Sequence, residues 1–312
     1  MGNLRSWTKV KGPDMPVTDV KLVSAAWTSA GDASPLYESP ASPLDIFDRV
    51  ECVGRAGFQG IGFLDVDLRV ALERHGAGAM RKVREAVSRA GMEMVELEYL
   101  TGWYSTDPVE RKASEEKLEF LLSCAAELGA RHIKVGTSIA ALQTHPPDYD
   151  QIAAEFARIC EAAQRVGTKM ALELHPWAHA CTPELGLGVV RAAPSGSGGL
   201  MIDSWQAYRG GWDLSVFEGQ SGAHVIAVEL ADARREPQGT LLEDTVNHRQ
   251  YCGEGDADIP TFIAAMMSAG FGGFWGIEML SSEHRATSVE AALKRVRDTT
   301  MESFARASCC GS

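Results

Sequence analysis

The sequence is short of positive charge, since its 312 residues include 42 acidic and only 30 basic ones, for a net charge of −12. Proteins that bind nucleic acid gain affinity from clustered lysine and arginine, so this balance argues against a nucleic-acid partner. No apolar run approaches the ~18 residues that a membrane span requires, and residues 1–16 contain no apolar segment of the signal-peptide type. We therefore expect a cytoplasmic protein with no membrane partner.

Cysteine is sparse and lacks any recognisable spacing. The seven cysteines occur singly, apart from the adjacent Cys309 and Cys310, and none forms a CxxC motif. An odd number of cysteines without metal-type spacing predicts reduced thiols rather than a disulfide framework or a thiolate metal site. The hydrophobic content of 45% and the charged content of 23% are typical of a soluble globular protein.

The chain repeats one local pattern, in which an amphipathic helix ends in glycine and an apolar strand follows at once. Glycine is the usual residue after the last turn of a helix, and immediate re-entry into a strand is typical of α/β proteins. These glycines are Gly57, Gly91, Gly129, Gly167 and Gly270. The pattern predicts strands at 22–27, 60–64, 94–99, 132–136, 170–174, 199–203, 225–230 and 275–280. It predicts helices at 43–56, 74–90, 109–128, 148–166, 182–193, 213–221, 258–269 and 287–305.

Eight strands that alternate with eight helices predict an α/β fold, a single (β/α)8 TIM barrel. An open doubly wound sheet is the alternative, but no GxGxxG motif follows the first strand. We expect an N-terminal arm at residues 1–20 and the barrel, as one catalytic domain, at residues 21–312. The segment 231–257 is a long polar loop after the seventh strand, where barrel loops commonly contact substrate.

Four acidic residues lie at or near the carboxyl ends of strands five to eight. They are Glu173, Asp203, Glu229 and Glu278. In a barrel these strand ends meet at one rim, where active sites form. A carboxylate in an apolar setting is costly unless a cation or hydrogen bonds compensate it. Several converging carboxylates are what a hard divalent ion such as Mn²⁺ or Mg²⁺ prefers, so the pattern predicts a metal site.

Two basic side chains belong to the same predicted region. His175 shares a face of its strand with Glu173, because residues two apart on a strand point the same way. It could orient a metal ligand, contact substrate, act as a general base or be a hydrogen-bonded wall residue. Lys134, on the fourth strand, could stabilise a developing oxyanion or form a salt bridge with Glu96 or Glu98.

Several longer segments resemble the xylose isomerase-like TIM barrels, a family of sugar phosphate isomerases and epimerases that is also called AP-endonuclease family 2. The resemblance runs from about residue 21 to residue 305. Its segments are ALELHP, LMIDSWQAYRGG, VELAD, HRQYCGEGDADIPTFIAAMMSAGF and WGIEML. The family includes ketose 3-epimerases and inosose dehydratases, so the resemblance implies a sugar-type small-molecule substrate.

The resemblance also implies a set of metal ligands, and the chain departs from that set at one position. The family pattern places ligands at Glu173, Asp203, position 229 and Glu278, with histidine usual on the seventh strand. Here the family's VHLKD reads VELAD, so either Glu229 is the fourth ligand or His248 replaces it. Oxygen-rich ligation favours Mn²⁺, although Mg²⁺, Co²⁺ or Zn²⁺ would also be possible.

Three further residues are candidates for contacts with substrate. Gln206 stands where the family often has histidine, and Arg249 resembles a family arginine that contacts substrate oxygens. Trp27 lies in the segment AAWTSAGD, which together with the altered seventh strand resembles the catalytic subunits of bacterial C-glycoside deglycosidases. That branch would imply a small second subunit and action on 3-oxo-C-glycosides. The family otherwise implies a homo-oligomer.

The family chemistry is removal of a proton from the carbon next to a carbonyl, with Glu173, His175 and Glu278 as the catalytic candidates. Return of the proton gives epimerisation or isomerisation, and loss of a leaving group gives elimination, as in a lyase or a keto-inositol dehydratase. A phosphodiesterase would need a histidine-rich zinc cluster, and this chain has 8 histidines. A sugar-binding barrel without catalysis is the non-enzymatic alternative.

Overall fold

Eight parallel strands close into a barrel in the computed structural model, with β1 paired to both β2 and β8. The structure describes residue 7, residues 19–138 and residues 147–309. The predicted (β/α)8 barrel is therefore confirmed. The strands are β1 Leu22–Ser24, β2 Gly60–Leu64, β3 Met94–Leu100, β4 His132–Gly136, β5 Met170–Glu173, β6 Gly198–Asp203, β7 Val225–Leu230 and β8 Trp275–Ile277.

Helices surround the strands, and the spacing of their apolar residues explains how they pack. In α1, for example, Ile46, Val50 and Val53 are buried on one face, as expected for an amphipathic helix. The helices are α1 Ile46–Arg55, α2 Asp65–His75, α3 Ala79–Arg89, α4 Pro108–Leu128, α5 Tyr149–Arg165, α6 Pro183–Val190, α7 Ser204–Gly210, α8 Leu241–Asn247, α9 Ile259–Ser268, α10 Ser282–Arg285 and α11 Val289–Cys309.

Two predicted helices differ from the observed ones. The helix expected at 74–90 is replaced by α2 and α3, which are separated at Gly76, where φ is 77° and glycine is favoured. The pattern at 213–221 forms two short 3-10 turns, Leu214–Phe217 and Gly219–His224. The five glycines predicted to end helices all have positive φ, namely Gly57, Gly91, Gly129, Gly167 and Gly270.

The arm and the long loop predicted from the sequence are partly described. Residues 1–6 and 8–18 of the arm lie outside the described residues, whereas Trp7 is buried and packs against Tyr208 and Phe262. The segment 231–257 contains α8, so it is partly helical. None of the helices in the described ranges is long and apolar enough to cross a membrane.

One aspartate organises the loop that follows β7. The buried carboxylate of Asp232 accepts hydrogen bonds from four backbone N–H groups at 2.7 to 3.1 Å, those of Ala233, Gly253, Gly255 and Ala257. Its backbone also pairs with that of Gln250. This carboxylate therefore joins both ends of the loop and fixes the course of the chain next to Arg249.

Replacement of Asp232 with alanine should destabilise the protein by about 2–4 kcal/mol, because it leaves several backbone donors without their charged acceptor. Chemical denaturation measures this change. The matched control is Asp256→Ala in the same loop, since Asp256 is exposed and accepts one bond, from the backbone of Arg235. The control should cost less than about 1 kcal/mol. Equal losses for the two variants would contradict the role given to Asp232.

Candidate active site

The structure brings the four predicted acids together at the carboxyl ends of their strands. Glu173 ends β5, Asp203 ends β6, Glu229 lies in β7 and Glu278 follows β8 directly. One oxygen from each can be chosen so that all four lie within 4.8 Å of one another, and all four residues are buried. Asp203 and Glu229 are direct neighbours across the paired strands.

Lys134 lies within the same cluster and is completely buried. Its Nζ is 2.7 Å from Glu229 Oε1, 2.8 Å from Glu98 Oε2 and 3.0 Å from Glu278 Oε1. The salt bridge to Glu98 is one of the two that the sequence suggested. The contacts with Glu229 and Glu278 cross the barrel and were not expected. Three carboxylates thus surround the ammonium group. The role suggested for Lys134 in binding a substrate oxyanion stays a prediction.

Arg249 neutralises the other side of the cluster. Its Nη1 donates to Asp203 Oδ2 at 2.6 Å, and its Nη2 lies 3.0 Å from Glu278 Oε2. Further donors reach the backbone oxygen of Glu278 and the hydroxyl of Thr245. The structure therefore shows Arg249 holding two of the acids, while the substrate contact suggested for it stays a prediction. Both oxygens of Glu278 face a cation, Lys134 on one side and Arg249 on the other.

His175 is paired with Glu173, as their positions on one strand face predicted. His175 Nε2 is 3.2 Å from Glu173 Oε1. Burial raises the pKa of Glu173, but the charges of His175, Lys134 and Arg249 outweigh it and lower the pKa to about 2. Burial lowers the pKa of His175, but Glu173 and other nearby carboxylates outweigh it, so the net shift is upward. The pair thus places a deprotonated carboxylate beside an imidazole with a raised proton affinity.

A second group of charged side chains, Glu96, Glu98 and His132, lies below these acids. The sequence analysis did not assign this group to the site. Glu96 Oε2 is 3.1 Å from His132 Nε2, and Glu98 Oε2 contacts Lys134. The sequence signal was the alternation of VELEY and HIKVG, which points both glutamates and both basic residues to one side of their strands. Burial, outweighing Lys134, raises the pKa of Glu98 to about 8.

The carboxylates of the cluster outnumber the cationic side chains that contact them. A bound cation would neutralise the excess negative charge. Burial raises the pKa of Asp203 to about 6 despite Arg249. Burial and the charge of Glu278 raise the pKa of Glu229 well above its usual value despite Lys134. Within the described part of the chain, Glu229 Oε2 is buried without a hydrogen-bond partner. An all-carboxylate donor set with a free buried oxygen fits a hard divalent ion.

Aromatic side chains form a wall beside the cluster. The ring of His175 lies 5.1 Å from that of Trp177 and 6.1 Å from that of Tyr99, and Trp177 also contacts Trp205. The indole of Trp205 lies under the guanidinium of Arg249, at 5.2 Å. The sequence analysis did not select Tyr99, Trp177 or Trp205, although aromatic faces next to polar groups are typical of ligand pockets.

The other predicted site residues have different positions. Gln206, in α7, is buried, and its Oε1 has no hydrogen-bond partner among the described residues. Trp27 is half-buried in a 3-10 turn, Ala26–Ser29, just after β1. His248 ends α8 and its backbone pairs with that of Ser281, but it is not one of the residues whose ligand atoms converge. Among the described residues, Glu229 and not His248 thus belongs to the converging set, and the choice of fourth ligand stays a prediction.

The comparisons with known proteins agree with this fold. A family model described as xylose isomerase-like TIM barrel matches residues 50–299, most of the chain. The chain belongs to this family, as the sequence resemblance indicated. The four clustered acids all lie within the matched range.

Two curated relatives are named as enzymes. The 3-dehydroshikimate dehydratase of Pseudomonas aeruginosa is 24% identical over 245 residues, which are 78% of this chain and 37% of the dehydratase. The inosose isomerase of Halalkalibacterium halodurans is 25% identical over 149 residues, 47% of this chain and 52% of the isomerase. The chain thus spans little more than a third of the dehydratase and about half of the isomerase.

Solved structures show the same barrel at low sequence identity. A crystal structure of the IolI protein with a bound zinc atom has a TM-score of 0.79 at 18% identity, covering 92% of this chain and 99% of that one. An L-ribulose 3-epimerase gives 0.68 at 17% identity, with coverage of 92% and 95%. The 3-keto-D-glucoside 4-epimerase of E. coli gives 0.61 at 15% identity, with coverage of 89% and 99%. These identities establish the shared fold.

Gly136→Ala should disturb the aromatic wall, because an added Cβ would lie 1.7 Å from the hydroxyl oxygen of Tyr99. Displacement of Tyr99 should cost about 1–3 kcal/mol of stability, measured by thermal or chemical unfolding. The control is Gly188→Ala, in α6, where an added Cβ meets no atom within 4 Å. The control should be neutral or stabilising by up to about 1 kcal/mol. A stable Gly136→Ala variant would contradict the packing described here.

Proposed function

We propose that this protein catalyses proton transfer at the carbon next to a carbonyl of a keto-sugar or related polyhydroxy compound, with one divalent cation. The observation that carries the proposal is the cluster of four buried carboxylates at the mouth of the barrel, with ligand oxygens within 4.8 Å of one another. The family and the names of its relatives support an isomerase, epimerase or dehydratase acting on a sugar-like molecule.

Glu173, Asp203, Glu229 and Glu278 would hold the cation. Carboxylate oxygens favour Mn²⁺ or Mg²⁺, and the absence of histidine and cysteine from this set makes Zn²⁺ a poorer match. When bound, a divalent ion would polarise a substrate carbonyl and acidify the neighbouring C–H bond. Lys134 and Arg249 hold the acids in place through the contacts described above.

The Glu173–His175 pair is the first candidate for moving the proton. Its geometry lets His175 share a proton with Glu173 across 3.2 Å, and the His175 side chain is 15% exposed, against 5% for Glu173. The imidazole is therefore the more accessible of the two groups. Glu278 is the second candidate, because it is one of the four converging acids and each of its oxygens lies 3.0 Å from a cationic side chain. Two groups from different strands would allow removal and return of a proton on different sides of a bound substrate.

Dehydration is the second candidate outcome, and the dehydratase that matches 78% of this chain favours it. Epimerisation returns the proton to the same carbon, isomerisation returns it to the neighbouring carbon, and dehydration expels a hydroxyl group instead. A panel of an inosose, 3-dehydroshikimate, L-ribulose, a 3-keto-glucoside and a 3-oxo-C-glycoside separates these reactions and the C-glycoside lyase alternative. Reactions run in D2O with added Mn²⁺ and followed by NMR identify both the substrate class and the carbon that exchanges.

Asp203→Ala should weaken Mn²⁺ binding by more than about tenfold, because it removes one carboxylate ligand. Elemental analysis after dialysis against Mn²⁺ measures the occupancy. Asp203 also caps α7 by accepting a hydrogen bond from the backbone of Trp205, so the control is Asp148→Ala, which removes a similar cap from α5. The control should keep its metal. Full occupancy in a folded Asp203→Ala variant would refute the ligand assignment.

His175→Ala should reduce solvent deuterium incorporation into a substrate by about 10² or more, the usual loss when a general acid or base is removed. Glu278→Gln should have a similar effect, with metal occupancy measured in parallel because Glu278 is also a proposed ligand. The control is His224→Ala, which lies before β7, at the opposite end of the barrel. A His175→Ala enzyme with full metal and nearly normal exchange would reduce His175 to a wall residue.

A further inference from the structure

Lys134 occupies a position that resembles a cation site within the carboxylate cluster. Three carboxylate oxygens, from Glu98, Glu229 and Glu278, lie 2.7 to 3.0 Å from its Nζ, and its side chain is 0% exposed. One partner comes from β3, and the other two come from β7 and the residue after β8, neighbouring strands elsewhere in the barrel. Buried carboxylates at such separations repel one another strongly unless a cation lies between them.

We propose that the Lys134 ammonium is a built-in cation of this site, which occupies the place of a second metal ion and leaves room for one exchangeable divalent ion. This inference rests on the proposed function, in which the neighbouring carboxylates hold that divalent ion. The contacts that carry this inference are those of Lys134 with three carboxylates, so we assign Lys134 as a positioning residue. A fixed ammonium supplies charge without an open coordination position, which distinguishes it from a second metal.

The position of Glu229 supports the proposal. Its Oε1 is held by Lys134 at 2.7 Å, while its Oε2 is buried and without a partner in the part of the chain that the structure describes. Gly276 lies against the Glu229 side chain, where an added Cβ would be 2.8 Å from Glu229 Cγ. The glycine leaves the space that the glutamate needs, and the lysine fixes one of its two oxygens. The other oxygen is left available for a metal ion.

Glu278 connects the two cation positions. One of its oxygens faces Lys134 and the other faces Arg249, which also binds Asp203. Glu98 differs, because it contacts Lys134 and the backbone N–H of Ala26 but is not one of the four clustered ligands. A change at Glu98 therefore alters the surroundings of Lys134 without removing a proposed metal ligand. Glu98 is therefore suited as the second position in a double-mutant cycle with Lys134.

The experiment compares wild type, Lys134→Ala, Glu98→Gln and the double variant Lys134→Ala/Glu98→Gln. Each protein is stripped with a chelator and dialysed against MnCl2, and bound manganese is counted by elemental analysis. The melting temperature, Tm, of each is measured with and without Mn²⁺. Lys134→Ala removes the ammonium and opens the space that it filled, whereas Glu98→Gln keeps the side-chain shape and removes a carboxyl group that can ionise.

Wild type should bind one Mn²⁺ per chain and Lys134→Ala two, because the vacated position is surrounded by three carboxylates. The metal-free Lys134→Ala variant should melt below wild type, and Mn²⁺ should raise its Tm more than it raises that of wild type. The effect of Glu98→Gln on the Tm should be more favourable in the Lys134→Ala background than in the wild-type background, because the ammonium that compensates Glu98 is present only in wild type. Such non-additivity is the signature of two directly coupled residues.

One bound ion in both wild type and Lys134→Ala, with equal increases in Tm, would overturn the inference. Additive effects of Glu98→Gln in the two backgrounds would also overturn it. A third outcome is that wild type binds no Mn²⁺ and Lys134→Ala binds one. This result would support Lys134 as the built-in cation, but it would contradict the divalent ion in the proposed function. If Lys134→Ala does not fold, bound Mn²⁺ is counted in the double variant instead, which has one ionisable carboxyl fewer around the vacated position. The double variant should bind more Mn²⁺ per chain than wild type.

Discussion

Carboxylates buried inside the barrel must be neutralised by cations, and the geometry of the whole site depends on how this is achieved. Among the described residues, two lysine or arginine side chains, Lys134 and Arg249, form salt bridges with the buried acids of the cluster. A buried charge without a partner costs several kcal/mol. The carboxylate oxygens that contact Lys134 or Arg249 are compensated, and the remaining oxygens are the ones that a metal ion could bind. With the four acids of the cluster, Glu173, Asp203, Glu229 and Glu278, the barrel also buries Glu96 and Glu98.

This ionic interior differs from the branched apolar layers that usually fill such barrels. The site therefore depends on charge balance as much as on packing. Lower in the barrel Glu96 pairs with His132, and at the mouth Glu173 pairs with His175, beside the aromatic wall. A divalent ion would complete the balance at the mouth, where the acids converge, and a substrate would meet the ion next to His175 and the rings around it. Burial of these carboxylates costs folding free energy, but the same carboxylates would bind the metal ion that the proposed chemistry needs.

Much of this site could be predicted from local sequence patterns, because glycine-capped helices mark five of the eight strands and strand alternation gives the direction of each side chain. The four acids and the Glu173–His175 pair were found in this way. The contacts of Lys134 with Glu229 and Glu278 could not be, since these residues are 95 and 144 positions away and meet only when the barrel closes. The role of Arg249 depends in the same way on the path of the loop that Asp232 organises.

Anomalous diffraction at the manganese absorption edge, from crystals of the protein grown with Mn²⁺, is the decisive test of this metal site. We predict one strong anomalous peak per chain, within ligand distance of Glu173, Asp203, Glu229 and Glu278, with Lys134 still bound to Glu98. A cluster without an anomalous peak at saturating Mn²⁺, with its carboxylates bound only to Lys134, Arg249 and His175, would contradict the metal site.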